Sequence, residues 1–247
     1  MKLKQLIFCA ALAMAYQQHA LAADLPFIPK RTNVSAEASP TDDGERLTRP
    51  SAVDPKIYGK TIGNWGHAWW SWAFNIPKAT NPLLSNGAID CSIGQSGKVW
   101  FLAGNFGETS KRSCTIPQGK ALFFPIYNSV WWTPAPGTDA GCKNELDCRK
   151  EVGASLGELN YTCKVDGQDC AWKYSIVRAQ SDNLPFTINT DSILVTEYED
   201  IPGTRDVSIS DGYWVMLPPL KAGQHKIRFK AKAGDFALDV TYNLTVQ

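Results

Sequence analysis

The chain predicts a mainly β protein: an antiparallel β-sandwich of jelly-roll or Ig-like type, with one tryptophan-rich helix and one further short helix. Three observations carry this. From Phe236 to Val246, Phe236, Leu238, Val240, Tyr242, Leu244 and Val246 alternate unbroken against Ala237, Asp239, Thr241, Asn243 and Thr245. That is a period of two, a strand with one buried and one wet face. Short apolar runs punctuated by Gly, Asn, Asp and Pro recur through the second half of the chain. Four tryptophans (Trp65, Trp69, Trp70, Trp72) fall in one short stretch that ends at Pro77, where a helix stops.

Residues 1–22 read as a secretory signal peptide. Lys2 and Lys4 open it, Leu6 to Ala15 form its apolar middle, and Ala20-Leu21-Ala22 is a small-x-small cleavage site. Residues 23–56 read as a flexible tether, punctuated by Pro26, Pro29, Pro40, Pro50 and Pro55 and too polar to bury a core. Residues 57–247 then form a single β-rich domain, exported to the periplasm or the medium. Within it, the spacing predicts a helix over 58–76, capped by Thr61, with Trp65, Trp69 and Trp72 on one inward face. Trp70 and Phe74 lie on a flank, and His67 projects from another side. Residues 78–97 are a loop of turn residues. Lys98–Ala103 and Ala121–Tyr127 are two short apolar runs that predict a buried hairpin, and Trp131 and Trp132 follow in a loop over 128–136. A second helix is predicted over 143–159. Tyr161–Val165 and Trp172–Val177 face each other across the Asp166-Gly167 turn signal. Residues 187–188, 193–198, 207–209 and 213–217 are further short strands, and Ala233-Gly234-Asp235 turns the last hairpin.

Beyond the leader stand six cysteines: Cys91, Cys114, Cys142, Cys148, Cys163 and Cys170. An even number in an exported chain reads as three disulfides that stabilise the domain. Of the fifteen pairings, the one joining neighbours gives Cys91–Cys114, Cys142–Cys148 and Cys163–Cys170. There is no C-x-x-C and no histidine near these cysteines, so no metal site is expected. No cofactor motif occurs. Removing residues 1–22 takes away Lys2 and Lys4 and leaves 23 basic residues against 24 acidic ones, a formal charge of −1. A charge that small gives no case for nucleic acid or an anionic membrane surface. After the leader, no apolar run is long enough for membrane insertion.

The motifs Trp65-x3-Trp69-Trp70-x-Trp72, Gly94-Gln95-x-Gly97-x-Val99-Trp100-Phe101-Leu102-Ala103-Gly104, Pro117-x-Gly119-Lys120-Ala121-Leu122-Phe123-Phe124-Pro125 and Asp211-Gly212-Tyr213-Trp214 stand together with Pro219-Leu220 and Gly223-x-His225. In these the chain resembles an uncharacterised family of exported bacterial proteins, over most of residues 58–246. The resemblance implies an exported single domain and assigns no catalytic role.

Three functional classes follow from the residues. The aromatic concentration points to a binding protein, with a glycan or other small molecule held beside the tryptophan helix by Trp70, Trp131 and Trp132 and by the amides of Gln95 and Asn128. A secreted hydrolase would use His67 or His225, the only histidines past the leader, with Asp90 or Asp211. Gly153-Ala154-Ser155-Leu156-Gly157 matches the nucleophile-elbow spacing, but the charged residues before it are no buried strand. The third class is a cell-envelope module that binds a protein partner, one the sequence leaves unidentified.

Overall fold

The computed structural model describes residues 55–170 and 176–247. The expected signal peptide and nearly all of the expected tether fall outside these. The described chain is mainly β. Its strands are β1 (Val99–Phe101), β2 (Thr109–Ile116), β3 (Ala121–Trp132), β4 (Asn160–Val165), β5 (Gln168–Asp169), β6 (Ile176–Gln180), β7 (Phe186–Ile188), β8 (Gly203–Arg205), β9 (Ser208–Leu217), β10 (Gly223–Ala233) and β11 (Phe236–Val246). The α-helices are α1 (Ile62–Asn75), α2 (Glu145–Ala154) and the one-turn α3 (Ile193–Thr196).

Two sheets carry the molecule. One has the order β1-β3-β9-β6 and the other β2-β11-β10-β4-β5, while β7 and β8 make a separate small pair. Leu122, Phe124, Val215 and Leu217 of the first sheet share one buried cluster with Phe229, Val240, Tyr242 and Leu244 of the second. The opposite face of the first sheet buries Phe123, Val130 and Trp214 under α1. The layers are thus helix, four-stranded sheet, five-stranded sheet, and the outer face of the last is wet.

The sheets are mixed, which corrects the antiparallel expectation. β1 runs parallel to β3, and β2 runs parallel to β11. The expected hairpin of residues 98–103 and 121–127 is therefore a crossover: the chain leaves β1, forms β2 in the other sheet, and returns to lie beside β1. Strand β2 escaped the sequence reading because its inward positions are Ser110, Arg112, Cys114 and Ile116, a pattern without apolar alternation. Trp131 and Trp132 are the end of β3, not a loop. Residues 193–198 are not a strand: Ser192 accepts from the Leu194 N–H and starts α3. The turn at Asp166-Gly167 joins β4 to β5, and both residues have positive φ, as a type I′ turn needs. Of the strand expected over 172–177, residues 172–175 lie outside the described residues; Ile176–Gln180 belongs to the first sheet and pairs with β9, while β4 pairs with β5 and β10.

The three disulfides join Cys91–Cys114, Cys142–Cys148 and Cys163–Cys170, as neighbour pairing predicts. Among the described residues no helix is long and apolar enough to cross a membrane.

Candidate functional site

Helix α1 begins as predicted, with the Thr61 hydroxyl accepting from the Asn64 N–H at 3.2 Å. It lies very close to the first sheet. A Cβ on Gly63 would stand 2.0 Å from the Gln180 carbonyl oxygen, and one on Gly66 would stand 2.4 Å from the Trp214 ring. The deepest face therefore runs through Gly63, Gly66, Trp70, Ala73 and Phe74, together with His67 and Trp69. Trp65 and Trp72, expected inside, are half-buried, and Trp70, expected at the surface, is buried. The glycines rotate the helix toward the sheet by letting backbone approach backbone, a preference that counting rings does not register.

Each indole N–H of α1 donates to a carbonyl in a different segment. Trp65 reaches Ile57, Trp69 reaches Leu102, Trp70 reaches Ser129 and Trp72 reaches Ile93, at 2.6, 2.9, 3.2 and 3.0 Å. The tryptophans thus tie loops to the helix as well as filling the core.

Strand β3 changes character at Pro125. The Ala121 N–H donates to Lys98 and the Phe123 carbonyl accepts from Leu102, so the odd residues of β3 face β1. β1 ends opposite Phe123. Pro125, which has no N–H to give, falls on the edge that β1 no longer covers. The register with β9 then shifts between Pro125 and Tyr127, leaving Ile126 as the extra residue of a bulge. A cavity of about 110 Å³ opens along this stretch, between α1, residues 125–130 of β3, α3 and the Gly104–Phe106 segment. Trp70, Phe74, Ile126, Leu194 and Leu238 give it an apolar wall, and Phe106, Tyr198 and Phe236 complete the lining. Phe106 meets Tyr198 edge-on at 6.5 Å and is 38 % exposed, so it stands where the cavity meets solvent.

The cavity wall contains no Asp, Glu, His, Lys or Arg. Its polar members are mostly committed. Asn105 uses its amide on Glu108, Ser110 and Gly107, and Ser129 gives its carbonyl to Trp70. Asn128 differs: its buried Nδ2 has no hydrogen-bond partner. Behind the wall lies Arg112, 1 % exposed, whose guanidinium donates to the carbonyls of Ala103, Gly104, Pro82 and Ser85 and to the Tyr242 hydroxyl. It holds the Pro82–Gly104 loop in place without a carboxylate. Tyr242 is itself pushed above its ordinary range by complete burial, with Arg112 opposing.

Of the predicted ligand contacts, Trp70 and Asn128 meet at this cavity. The other three do not. Gln95 spends its amide on the edge of β1, donating to Phe101 at 2.8 Å and accepting from its N–H at 2.9 Å, as a strand would. Trp132 is buried and stacks on Phe186, with the rings 10° from parallel. Trp131 is half-buried against the Cys142–Cys148 cluster on the other face of β3.

The predicted acid–base residues stay apart. His67 is 5 % exposed and sits 2.6 Å from Ser208 Oγ, edge-on to Phe186. The single Ser208 hydroxyl proton goes to the Leu184 carbonyl, which assigns the donor role to His67 Nε2. Burial drives the His67 pKa down to about 4, so the ring is neutral. A serine and a histidine are thus in contact, but both are in the core, with no carboxylate behind the ring and no opening to the cavity. His225 pairs with Asp166 at 2.7 Å through Nδ1 and with the Lys221 carbonyl at 2.8 Å through Nε2. The Asp166 hydrogen bond raises its pKa, and the ring clamps the hairpin turn with both nitrogens facing oxygen acceptors. Asp211 is buried beside Arg178, and burial raises its pKa against the pull of that guanidinium. Asp90 is at the surface, where it caps Ser92. Ser155 ends α2 and donates to the Val152 carbonyl at 2.7 Å, a helix terminus and not a strand-to-helix elbow. The residue that sequence reasoning missed is Phe106, which gave only a lone ring in a glycine-rich loop.

No family model matches the chain, and no curated protein matches it. Among solved structures, a chain in the one described as "Structure of PbICP-C in complex with falcipain-2" is similar at 13% identity, over 61% of this chain and 100% of that one. Its TM-score is 0.26, and at that level the likeness carries no argument.

Proposed function

We propose that this protein is a binding protein of an oxidising compartment outside the cytosol, and that its small ligand sits beside the tryptophan helix, against Trp70 and Asn128. The observation that carries the reading is Asn128: a buried amide donor without a partner, on a residue that lines a mainly apolar cavity. A buried donor left unmade costs about 1–3 kcal/mol, so a ligand acceptor that satisfies it gains binding energy and orientation together. The three disulfides fit an exported chain, as does the predicted leader. The two facing sheets are read here as a sandwich of mixed strand direction.

Size limits the ligand. A dry cavity of roughly 150 Å³ admits a benzene-sized ring. At about 110 Å³ this cavity takes one small ring or the end of a chain, with the rest of the molecule emerging past Phe106. A glycan would therefore present one terminal apolar group and would not lie along a strip of indoles. The cavity offers a hydrolase little, because no histidine or carboxylate lines it and burial raises the pKa of its two phenols, Tyr127 and Tyr198.

A panel of small rings with and without an acceptor group (indole, 4-methylphenol, cyclohexanone, cyclohexane) and simple methyl glycosides tests this. Thermal unfolding and tryptophan emission are the readouts. A ligand present at a hundredfold its Kd stabilises by about 2.7 kcal/mol, a rise in Tm of roughly 5–10 °C for a domain this size. Asn128→Leu should erase the preference for acceptor-bearing rings. The reading is abandoned if no probe moves Tm or emission at ~10 mM, or if binding is unchanged in the Asn128→Leu, Phe106→Ala double variant.

A further inference from the structure

The second site lies on the outer face of the five-stranded sheet, away from the core. Alternation along β10 places Lys226, Arg228, Lys230 and Lys232 on that face, with Ile227, Phe229 and Ala231 inside. Lys164 of β4 stands directly across from Arg228, and Lys111 of β2 lies across from Thr241 of β11. Against these six cations the face has two carboxylates, Asp239 and, at the β5 edge opposite Lys164, Asp169. Asp239 holds Arg228 at 2.6 Å and Lys230 at 3.0 Å, and their hydrogen bonds, Arg228 foremost, take its pKa down to about 2. Lys111, Lys164, Lys226 and Lys232 have no carboxylate partner within 4 Å among the described residues.

Six of the 23 basic residues past the leader thus stand together on one sheet face of a chain whose net charge is near zero. Two ordinary explanations fail. Lysines protect exposed sheet edges, but β10 is an interior strand, between β11 and β4. Solubility is served by mixed signs, and although Asp169 opposite Lys164 and Asp239 on Arg228 offset the like-charge pair of Lys164 and Arg228, Lys111, Lys226 and Lys232 have no carboxylate within 4 Å among the described residues.

The row on β10 spans ~20 Å, with cations every ~7 Å. Between the cations lie the hydroxyls and amides of Thr162, Thr241, Asn243 and Ser113. A shallow depression of about 550 Å³ opens at one end, lined in part by Thr109, Thr162, Lys230, Lys232, Ala237 and Asp239. The outward positions of these strands hold no aromatic ring; one exposed ring, Tyr161, lines the depression together with the carboxylate of Glu108, and a lone ring gives neither a row for stacking successive bases nor an apolar wedge for a bilayer. We propose that this face binds an anionic polysaccharide, a glycan bearing carboxylate or sulfate groups along its length. The cations take the charges and the hydroxyl and amide rows take the sugar hydroxyls. The depression adjoins the cavity at Leu238, but the row of cations lies on the outer face of the sheet and the proposal does not depend on the small-ligand reading.

The test is binding of the full chain to immobilised alginate, a polyuronate, against neutral dextran, over a series of salt concentrations. Alginate should bind and dextran should not, with affinity falling steeply as salt rises. Lys164→Gln with Lys226→Gln and Lys232→Gln should weaken alginate binding roughly tenfold or more and flatten the salt dependence. Asn128→Leu should leave it unchanged. The proposal is overturned if alginate binds no better than dextran, or if the triple variant unfolds at the native temperature and still binds alginate with native affinity. Tighter binding to duplex DNA or to phosphatidylglycerol vesicles than to alginate at the same salt also overturns it.

Discussion

Single side chains in this protein carry roles that their type alone does not announce. The tryptophans of α1 read from the sequence as apolar bulk, but each indole N–H also donates to a backbone carbonyl in another segment, most deeply where Trp69 meets Leu102. His67, one of two candidate bases in the sequence, is a neutral, buried hydrogen-bond donor to Ser208. Its environment has a measurable consequence. The folded pKa of about 4 lies below the unfolded value of 6.5, so the unfolded chain binds the extra proton between these limits. The stability that the neutral ring brings is complete above pH 6.5 and is lost as pH falls toward 4, by up to ~3 kcal/mol. His67→Gln should fold and should show a flatter loss of stability over that window. A denaturant midpoint measured at pH 7, 5.5 and 4.5 checks this; an unchanged pH profile in the variant would falsify the assignment.

At the scale of elements, legibility followed apolar contrast. β11 was plain because each inward residue is apolar and each outward one is small or polar, and the two-residue turn at Gly234-Asp235 fixed its register with β10. β2 was invisible because Arg112 and Ser110 occupy its inward positions and are buried by hydrogen bonds instead of by hydrophobicity. The orientation of α1 was misjudged for a related reason. Its closest contacts are made by Gly63 and Gly66, which have no side chain to show in an amphipathic pattern. Gly66→Ala makes the point testable. In an open helix that change stabilises by up to about 1 kcal/mol, but here the new methyl meets the Trp214 ring at 2.4 Å. Overpacking of this kind costs about 1–3 kcal/mol or more, so the variant should unfold at a lower temperature than the native chain. An equal or higher Tm would show that α1 has room the geometry denies. The cavity follows from the same element logic. Pro125 and the bulge at Ile126 announce an interrupted strand, but only the end of β1 shows which side of β3 is left open.

For the whole molecule, the order of strands matters more than their number. Both parallel pairs join segments separated by a crossover, and the five-stranded sheet places β11 between β2 and β10. Sequence patterning identifies strands but does not encode which non-neighbours pair, so this topology was out of reach. It predicts that a chain lacking residues 236–247 cannot keep the rest. β2 loses its one partner in the sheet, and the inner core loses Leu238, Val240, Tyr242 and Leu244. With Tyr242 goes an acceptor for the buried Arg112. Such a truncation should show no cooperative thermal transition and an exposed, protease-sensitive 109–116 segment. A cooperative melt at a temperature near the native one would disprove the dependence.

The same placement of β11 sets the timing of folding. A chain threaded through a membrane from its N-terminus delivers Phe236–Val246 after all the other strands, and β2 waits unpaired for about 120 residues of sequence until it arrives. In a chain delivered from its N-terminus the five-stranded sheet therefore closes in one late step, and it stays pliable until that last strand arrives.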